Sequence, residues 1–263
     1  MPKRRLIFTL LEQAGSYVLS RNFRLQSVGT LEWIREHYKF DAIASSIDEL
    51  IVLNVQRGPK DVEAFAGRLR ELAANCFMPI AAGGGIRSVE DAYRILDAGA
   101  DKLVVNTPLV DLPDLVTVLA RTFGIQAIVA SIDYRRSHGK PEAFIDGGLR
   151  SAGVSPEEAV LRAQELGAGE IYLTSIDRDG TGQGYDLEML QRVVGLAAVP
   201  VIASGGVGHF EHLVEGIETG NAAAVSTANL FNFIEDALTE ARRHMRDRGI
   251  TLAEWPIPDR HVF

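Results

Sequence analysis

Two aspartates stand where short, β-branched apolar runs give out. Ser131-Ile132-Asp133 ends one run, and Ser175-Ile176-Asp177-Arg178-Asp179-Gly180-Thr181 ends another. A carboxylate held at the mouth of a cleft works as a general acid or base, with its pKa set by burial. Plainer roles stay open: Asp133 can cap a turn or pair with Arg135 or Arg136, and the Asp177 stretch also reads as an ordinary Asp/Gly loop. Gly83-Gly84-Gly85 and Ser204-Gly205-Gly206 offer a different chemistry. Glycine N–H groups just ahead of a helix start form a nest for an anion. Asn106-Thr107, Thr174, Asp179 and Ala228-Asn229 fall at neighbouring run ends and complete a candidate ligand set with Gly84, Gly85, Ser204, Gly205 and Gly206. The alternative is that the glycines only permit tight turns. A third group lies at the opposite ends of the runs: Arg5, Glu49, Lys102 and Glu170. Two positive and two negative side chains can close a ring of salt bridges, which on charge alone reads as a structural plug.

The elements that must hold these residues alternate regularly. Candidate strands are 6–11, 49–54, 78–82, 102–106, 126–132, 170–176, 199–204 and 222–227. Helical patterns lie near 30–39, 60–75, 88–98, 112–123, 155–167, 186–197, 209–219 and 231–247. Ser88 with Asp91, and Ser155-Pro156 with Glu158, mark helix starts. Eight strands each followed by a helix predict a parallel (β/α)8 TIM barrel, an α/β fold whose sites sit at the strand C-termini. An open doubly wound sheet is the rival, but no GxGxxG follows the first strand. An internal repeat favours the barrel. Met78-Pro79-Ile80-Ala81-Ala82-Gly83-Gly84-Gly85 recurs as Val199-Pro200-Val201-Ile202-Ala203-Ser204-Gly205-Gly206, and Glu90 matches Glu211 at the same offset of 121. The expectation is one barrel domain over 1–263, made of half-barrels near 1–124 and 125–250 with a tail at 251–263.

Composition narrows the function classes. The chain has 263 residues, and 27 Lys+Arg against 35 Asp+Glu leave a net charge of −8. That balance argues against nonspecific affinity for nucleic acid or anionic membrane. Cys76 is the one cysteine, so no intramolecular disulfide can form. The basic start followed by Leu6–Leu11 stops at Glu12, too short for a secretory h-region, and no run is long enough to span a bilayer. A soluble, cytoplasmic protein without metal or cofactor is expected.

Longer motifs carry a resemblance. Cys76-Phe77-Met78-Pro79 running into Gly83-Gly84-Gly85-Ile86, Gly99-Ala100-Asp101-Lys102, Glu165 through Glu170, and Asp177 through Asp186 resemble the HisF family over nearly the whole chain. HisF is the cyclase subunit of imidazole glycerol phosphate synthase. The resemblance implies a twofold-symmetric (β/α)8 barrel that binds a ligand with two phosphates. It also implies ammonia passing through the barrel from a docked HisH-like glutaminase. It turns Arg5, Glu49, Lys102 and Glu170 from a plug into an ammonia gate, makes Asp101 a docking residue, and keeps Asp133 as a catalytic carboxylate. Three positions depart from the pattern. The family's first-strand catalytic aspartate is Leu11 here, its first-loop lysine is Leu19, and the aspartate ending strand two is Asn54. Glu12 is adjacent to Leu11, but neighbours on a strand face opposite sides.

The profile is similar to HisF-like proteins of surface-polysaccharide clusters. These work with a glutaminase and a ligase-like third protein to make acetamidino sugars. Three readings follow: such an amidotransferase subunit acting on a phosphorylated or sugar ligand, a true imidazole glycerol phosphate synthase cyclase, or a non-catalytic phosphate-ligand barrel.

Overall fold

A computed structural model describes residues 3–38, 46–74, 76–228 and 237–253. The chain opens with β1 (Arg5–Gln13), the hairpin strands β2 (Ser16–Arg21) and β3 (Arg24–Gly29), and α1 (Leu31–Tyr38). There follow β4 (Glu49–Asn54), α2 (Val62–Ala73), β5 (Ile80–Gly83), α3 (Val89–Asp97) and β6 (Lys102–Val105). After α4 (Pro108–Asp111) and α5 (Pro113–Phe123) come β7 (Ile128–Ser137), β8 (Lys140–Ile145), β9 (Arg150–Ser151) and α6 (Pro156–Glu165). The chain continues through β10 (Glu170–Ser175), α7 (Leu187–Leu196), β11 (Val201–Ser204), α8 (Phe210–Glu218), β12 (Ala224–Thr227) and α9 (Ala237–Asp247).

Eight of these strands pair in parallel, in the order β1-β4-β5-β6-β7-β10-β11-β12, and β12 returns to β1. The sheet is therefore closed: the protein is a (β/α)8 barrel. Because both faces of such a sheet are buried, its strands read as near-continuous apolar runs. One face packs outward, with Leu6, Phe8, Leu50, Val52 and Leu103 meeting Phe65, Leu69 and Ile95 of the helices. The alternate residues point inward, where Ile7, Ile51, Ala81, Val104, Val129, Ile202 and Ala224 fill the barrel around Tyr172.

The expected strand and helix centres hold, and the ends shift for local reasons. The strands expected to begin at 78 and 199 begin at Ile80 and Val201, because Pro79 and Pro200 have no N–H to give. Their carbonyls still accept from Leu50 and Ile171 at 2.9 Å each. Ser155 and Glu158 form the full reciprocal cap, whereas Asp91 turns its carboxylate to Arg87 N instead of Ser88. The helix expected over 231–247 is described only from Ala237.

The larger difference is three hairpin turns. Ala14-Gly15, Asn22-Phe23 and His138-Gly139 all have positive φ, the signature of two-residue turns that fit strand twist. They fold β2 and β3 over the barrel mouth and carry β7 on to Ser137. Asp133 is thus not the end of its strand, as expected, but lies within it, opposite Phe144 of β8.

Candidate functional site

The strand C-termini open into a cleft of about 1030 Å³. Asp133, Gly84, Gly85, Asn106, Thr107, Thr174, Asp179, Ser204, Gly205, Gly206 and Ala228 all line it. Asn229, the last of the expected set, lies outside the described residues. The elements bring these residues together, but several side chains are already occupied. Asn106 donates to Ser131 O at 2.9 Å and to Phe144 O at 3.3 Å, tying β6 to the hairpin beside it. Thr107 Oγ1 accepts from Asp146 N at 3.2 Å. Asp179 Oδ2 accepts from Ser20 Oγ at 2.5 Å and from Phe23 N at 3.0 Å, which clasps the β2–β3 hairpin onto the opposite loop. Burial still holds the Asp179 carboxyl above its ordinary value, against both of those bonds.

Asp133 is the carboxylate best placed for chemistry. It is 8% exposed, and Ser131 Oγ donates to it at 3.2 Å. It pairs with neither Arg135, which stacks over Phe144, nor Arg136, which reaches Glu188. Burial pushes its pKa from 3.8 up to about 7; the Ser131 bond and Lys60 oppose the shift, and Asp179 adds to it. A carboxyl poised near neutrality can give or take a proton at little cost.

Across the mouth the wall is apolar. Leu11, Leu19, Leu25 and Leu53 line the cleft. Glu12 does not. It pairs with Asn54 in register, on the face of β1 turned to the helices. There it is 1% exposed, bonds Arg68 at 2.9 Å, and accepts from Gly15 N. The geometry therefore gives Glu12 no part in the cleft.

Sequence reasoning missed two groups. One is Lys60, which enters the cleft from the loop after β4 and donates from Nζ to Asn54 O at 2.7 Å. The other is the trio of buried hydroxyls of Thr9, Tyr172 and Ser226 at the base of the cleft, which join the expected Ser204. Ser204 Oγ donates to Tyr172 Oη at 2.8 Å, which lies 3.0 Å from Thr9 Oγ1, itself 2.7 Å from Ser226 Oγ. Tyrosine at position 172 in an apolar run was the available signal. Burial raises its pKa, so the phenol stays a hydrogen-bond donor.

At the opposite end the four expected charges meet. Arg5 bonds Glu49 at 2.6 Å and also Glu170, while Lys102 bonds Glu49 at 2.9 Å and Glu170 at 2.9 Å. Each opens its strand, so all four side chains converge on the barrel axis. Burial disfavours the Arg5 charge, yet the two carboxylates outweigh it and raise the guanidinium pKa. The glutamates are buried, while the two cations keep 22–24% exposure to the outside. Asp101, exposed beside Lys102, accepts from Ile80 N at 2.8 Å and so anchors the start of β5. Among the described residues no His, Cys, Asp or Glu group is arranged to hold a metal ion.

Comparison with known proteins gives the barrel its relatives. A family model described as "Histidine biosynthesis protein" matches residues 37–234. A "Putative imidazole glycerol phosphate synthase subunit hisF2" of Parasynechococcus marenigrum (strain WH8102) is 42% identical over 258 residues, 98% of this chain and 96% of the relative. This chain belongs to the HisF family. A second relative, "Imidazole glycerol phosphate synthase subunit HisF" of Pyrobaculum aerophilum, is 39% identical over 239 residues, 90% of this chain and 92% of that protein. Within this HisF-family barrel no described helix is long and apolar enough to cross a membrane.

Proposed function

We propose that this HisF-family barrel is the ammonia-receiving subunit of a glutamine-dependent amidotransferase. In this reading a HisH-like glutaminase docks on the floor around Arg5, Glu49, Asp101, Lys102 and Glu170. Ammonia travels along the barrel axis to a phosphorylated or sugar ligand held at Gly84, Gly85, Asn106, Thr107, Thr174, Asp179, Ser204, Gly205, Gly206 and Ala228. The product class is an amidino-modified sugar of a surface polysaccharide, made with a ligase-like third protein.

One observation carries the reading: the four-charge ring is complete while the mouth holds Asp133 opposite Leu11. Between ring and mouth lies the apolar layer of Ile7, Ile51, Ala81, Val104, Val129, Ile202 and Ala224. Such a layer is cheap for neutral ammonia and costly for ammonium, because an unpaired ion loses its hydration there. The hydroxyls of Thr9, Tyr172, Ser204 and Ser226 stand above it, where ammonia regains hydrogen-bond partners.

A second reading, the imidazole-forming cyclase itself, is favoured by the printed names of both relatives. It needs proton transfers on two sides of the substrate, and Glu12 faces Arg68. The deciding experiment has two arms. A pull-down with a HisH-like glutaminase, followed by ammonia release, tests the subunit role. Supplying the cyclase substrate with ammonium ion and following imidazole glycerol phosphate tests the chemistry. Glutaminase capture without that product is the expected result; robust product formation would establish the second reading instead.

A further inference from the structure

The two glycine nests are twins in backbone. A Cβ on Gly84 would meet Asn54 O at 2.3 Å, and one on Gly205 would meet Ser175 O at 2.8 Å. Asn54 and Ser175 are the last residues of β4 and β10, separated by the repeat offset of 121. Both glycines have positive φ, +108° and +87°, so the chain turns the same way at each.

Their charges are not twins. At the first nest Lys60 lies against Gly85, where an added Cβ would meet its Cβ at 3.0 Å and its Cδ at 3.4 Å. Its Nζ donates to Asn54 O, the same carbonyl that abuts Gly84, which puts an ammonium at the nest. Burial lowers the Lys60 pKa; Asp146 opposes this and the Arg87 charge adds to it. Arg87 also lines the cleft, and its guanidinium has no hydrogen bond or carboxylate partner among the described residues. Two cations converging on one nest repel each other, and an anion between them relieves that repulsion.

The second nest has no such pair. Over Gly206 lie Gly184 O and the Cβ of Arg178, whose Nη1 is given to Gln183 and which does not line the cleft. Hydroxyls face the ligand space there instead. Thr174 lines the cleft beside Ser204 and is 6% exposed, and its Oγ1 has no hydrogen-bond partner among the described residues. Among the described residues every lysine or arginine lining the cleft lies between Arg57 and Arg150.

We infer that the cleft is charged at one end only. It takes a ligand with a single phosphate-bearing end at Gly84–Gly85, gripped by Lys60 and Arg87. An uncharged, hydroxyl-bearing end sits at Gly205–Gly206 against Ser204 and Thr174. Lys60 is then the residue that sets which end is which. This rests on the reading of the cleft as a phosphate-ligand site.

The test uses the full chain and inorganic phosphate, titrated by calorimetry and by ³¹P NMR. One phosphate per chain is expected. Lys60→Met should weaken it at least about tenfold, the scale of one lost charged hydrogen bond, and Lys60→Arg should restore most of the affinity. Melting curves check that both variants fold. Two equivalent phosphates per chain, or unchanged affinity in a folded Lys60→Met, would overturn the asymmetry alone. No phosphate binding by the unaltered chain would overturn the phosphate-site reading and this inference with it.

Discussion

Glu12 and Leu11 are consecutive on β1 and serve opposite layers: Leu11 lines the cleft, while Glu12 closes an ion pair with Arg68 at 2.9 Å under the helices. The carboxylate nearest in sequence to the altered position is therefore committed to the fold. General acid–base help from one positioned group is worth about 10²–10⁴-fold, or roughly 3–5 kcal/mol of barrier. Leu11→Asp should accordingly raise any residual formation of imidazole glycerol phosphate from ammonium and the cyclase substrate. Glu12→Gln should lower the melting temperature without creating or removing that activity. A rate that fell with Glu12→Gln in a still-folded protein would contradict this assignment.

Asp133 predicts a pH signature of its own. Its pKa rises on folding from 3.8 to about 7, so the folded state binds a proton that the unfolded state has released across that window. The stability it contributes is complete below about 4 and lost as pH climbs to about 7, beyond which a buried charge remains. Asp133→Asn has no such loss. Its melting temperature should exceed that of the parent at pH 8 and lie close to it at pH 4. Equal differences at both pH values would mean that Asp133 is ionised throughout.

The floor ring separates two roles. Lys102→Met leaves Glu49 and Glu170 facing each other with Arg5 alone between them. Activity driven by glutamine through a partner glutaminase should fall further than activity driven by added ammonium salt. Equal loss of both would assign the ring to holding the barrel together.

A fourth expectation concerns the fold alone. Asp48 accepts from Leu6 N at 2.7 Å and takes both Arg242 nitrogens, at 2.9 Å and 3.0 Å, with both residues buried. Breaking a buried pair by removing one member costs about 3–5 kcal/mol, since the other charge stays behind. Arg242→Met should lower the unfolding free energy from denaturant titration by that amount, and a change near zero would show that the pair contributes nothing net.

Much of this was legible beforehand because barrel geometry is periodic. Arg5, Glu49, Lys102 and Glu170 each open a strand, so a strict inside–outside alternation had to bring them together. The same alternation placed Glu12 away from Leu11. The hairpins were not legible, because Ala14-Gly15, Asn22-Phe23 and His138-Gly139 lack the usual Asn-Gly or Asp-Gly pair and interrupt runs that otherwise read as strand or loop. Lys60 was hidden for another reason. A lone lysine after Pro59 looks like a solvated loop charge, and only its packing on the bare Cα of Gly85 turns it inward. Asn106, Thr107 and Asp179 were found at the mouth, but sequence could not show that their side chains are spent on neighbouring loops.

The clasp of Asp179 onto Ser20 and Phe23 crosses the line between the two repeats. So does the ring, to which the second repeat supplies Glu170 alone. Each repeat thus owns an incomplete mouth and an incomplete floor. If the chain were divided after Gly124, Asp179 would leave with one fragment and its partners Ser20 and Phe23 with the other. A copy of the first repeat in place of the second would put Gly58 where Asp179 stands, and the clasp would have no carboxylate.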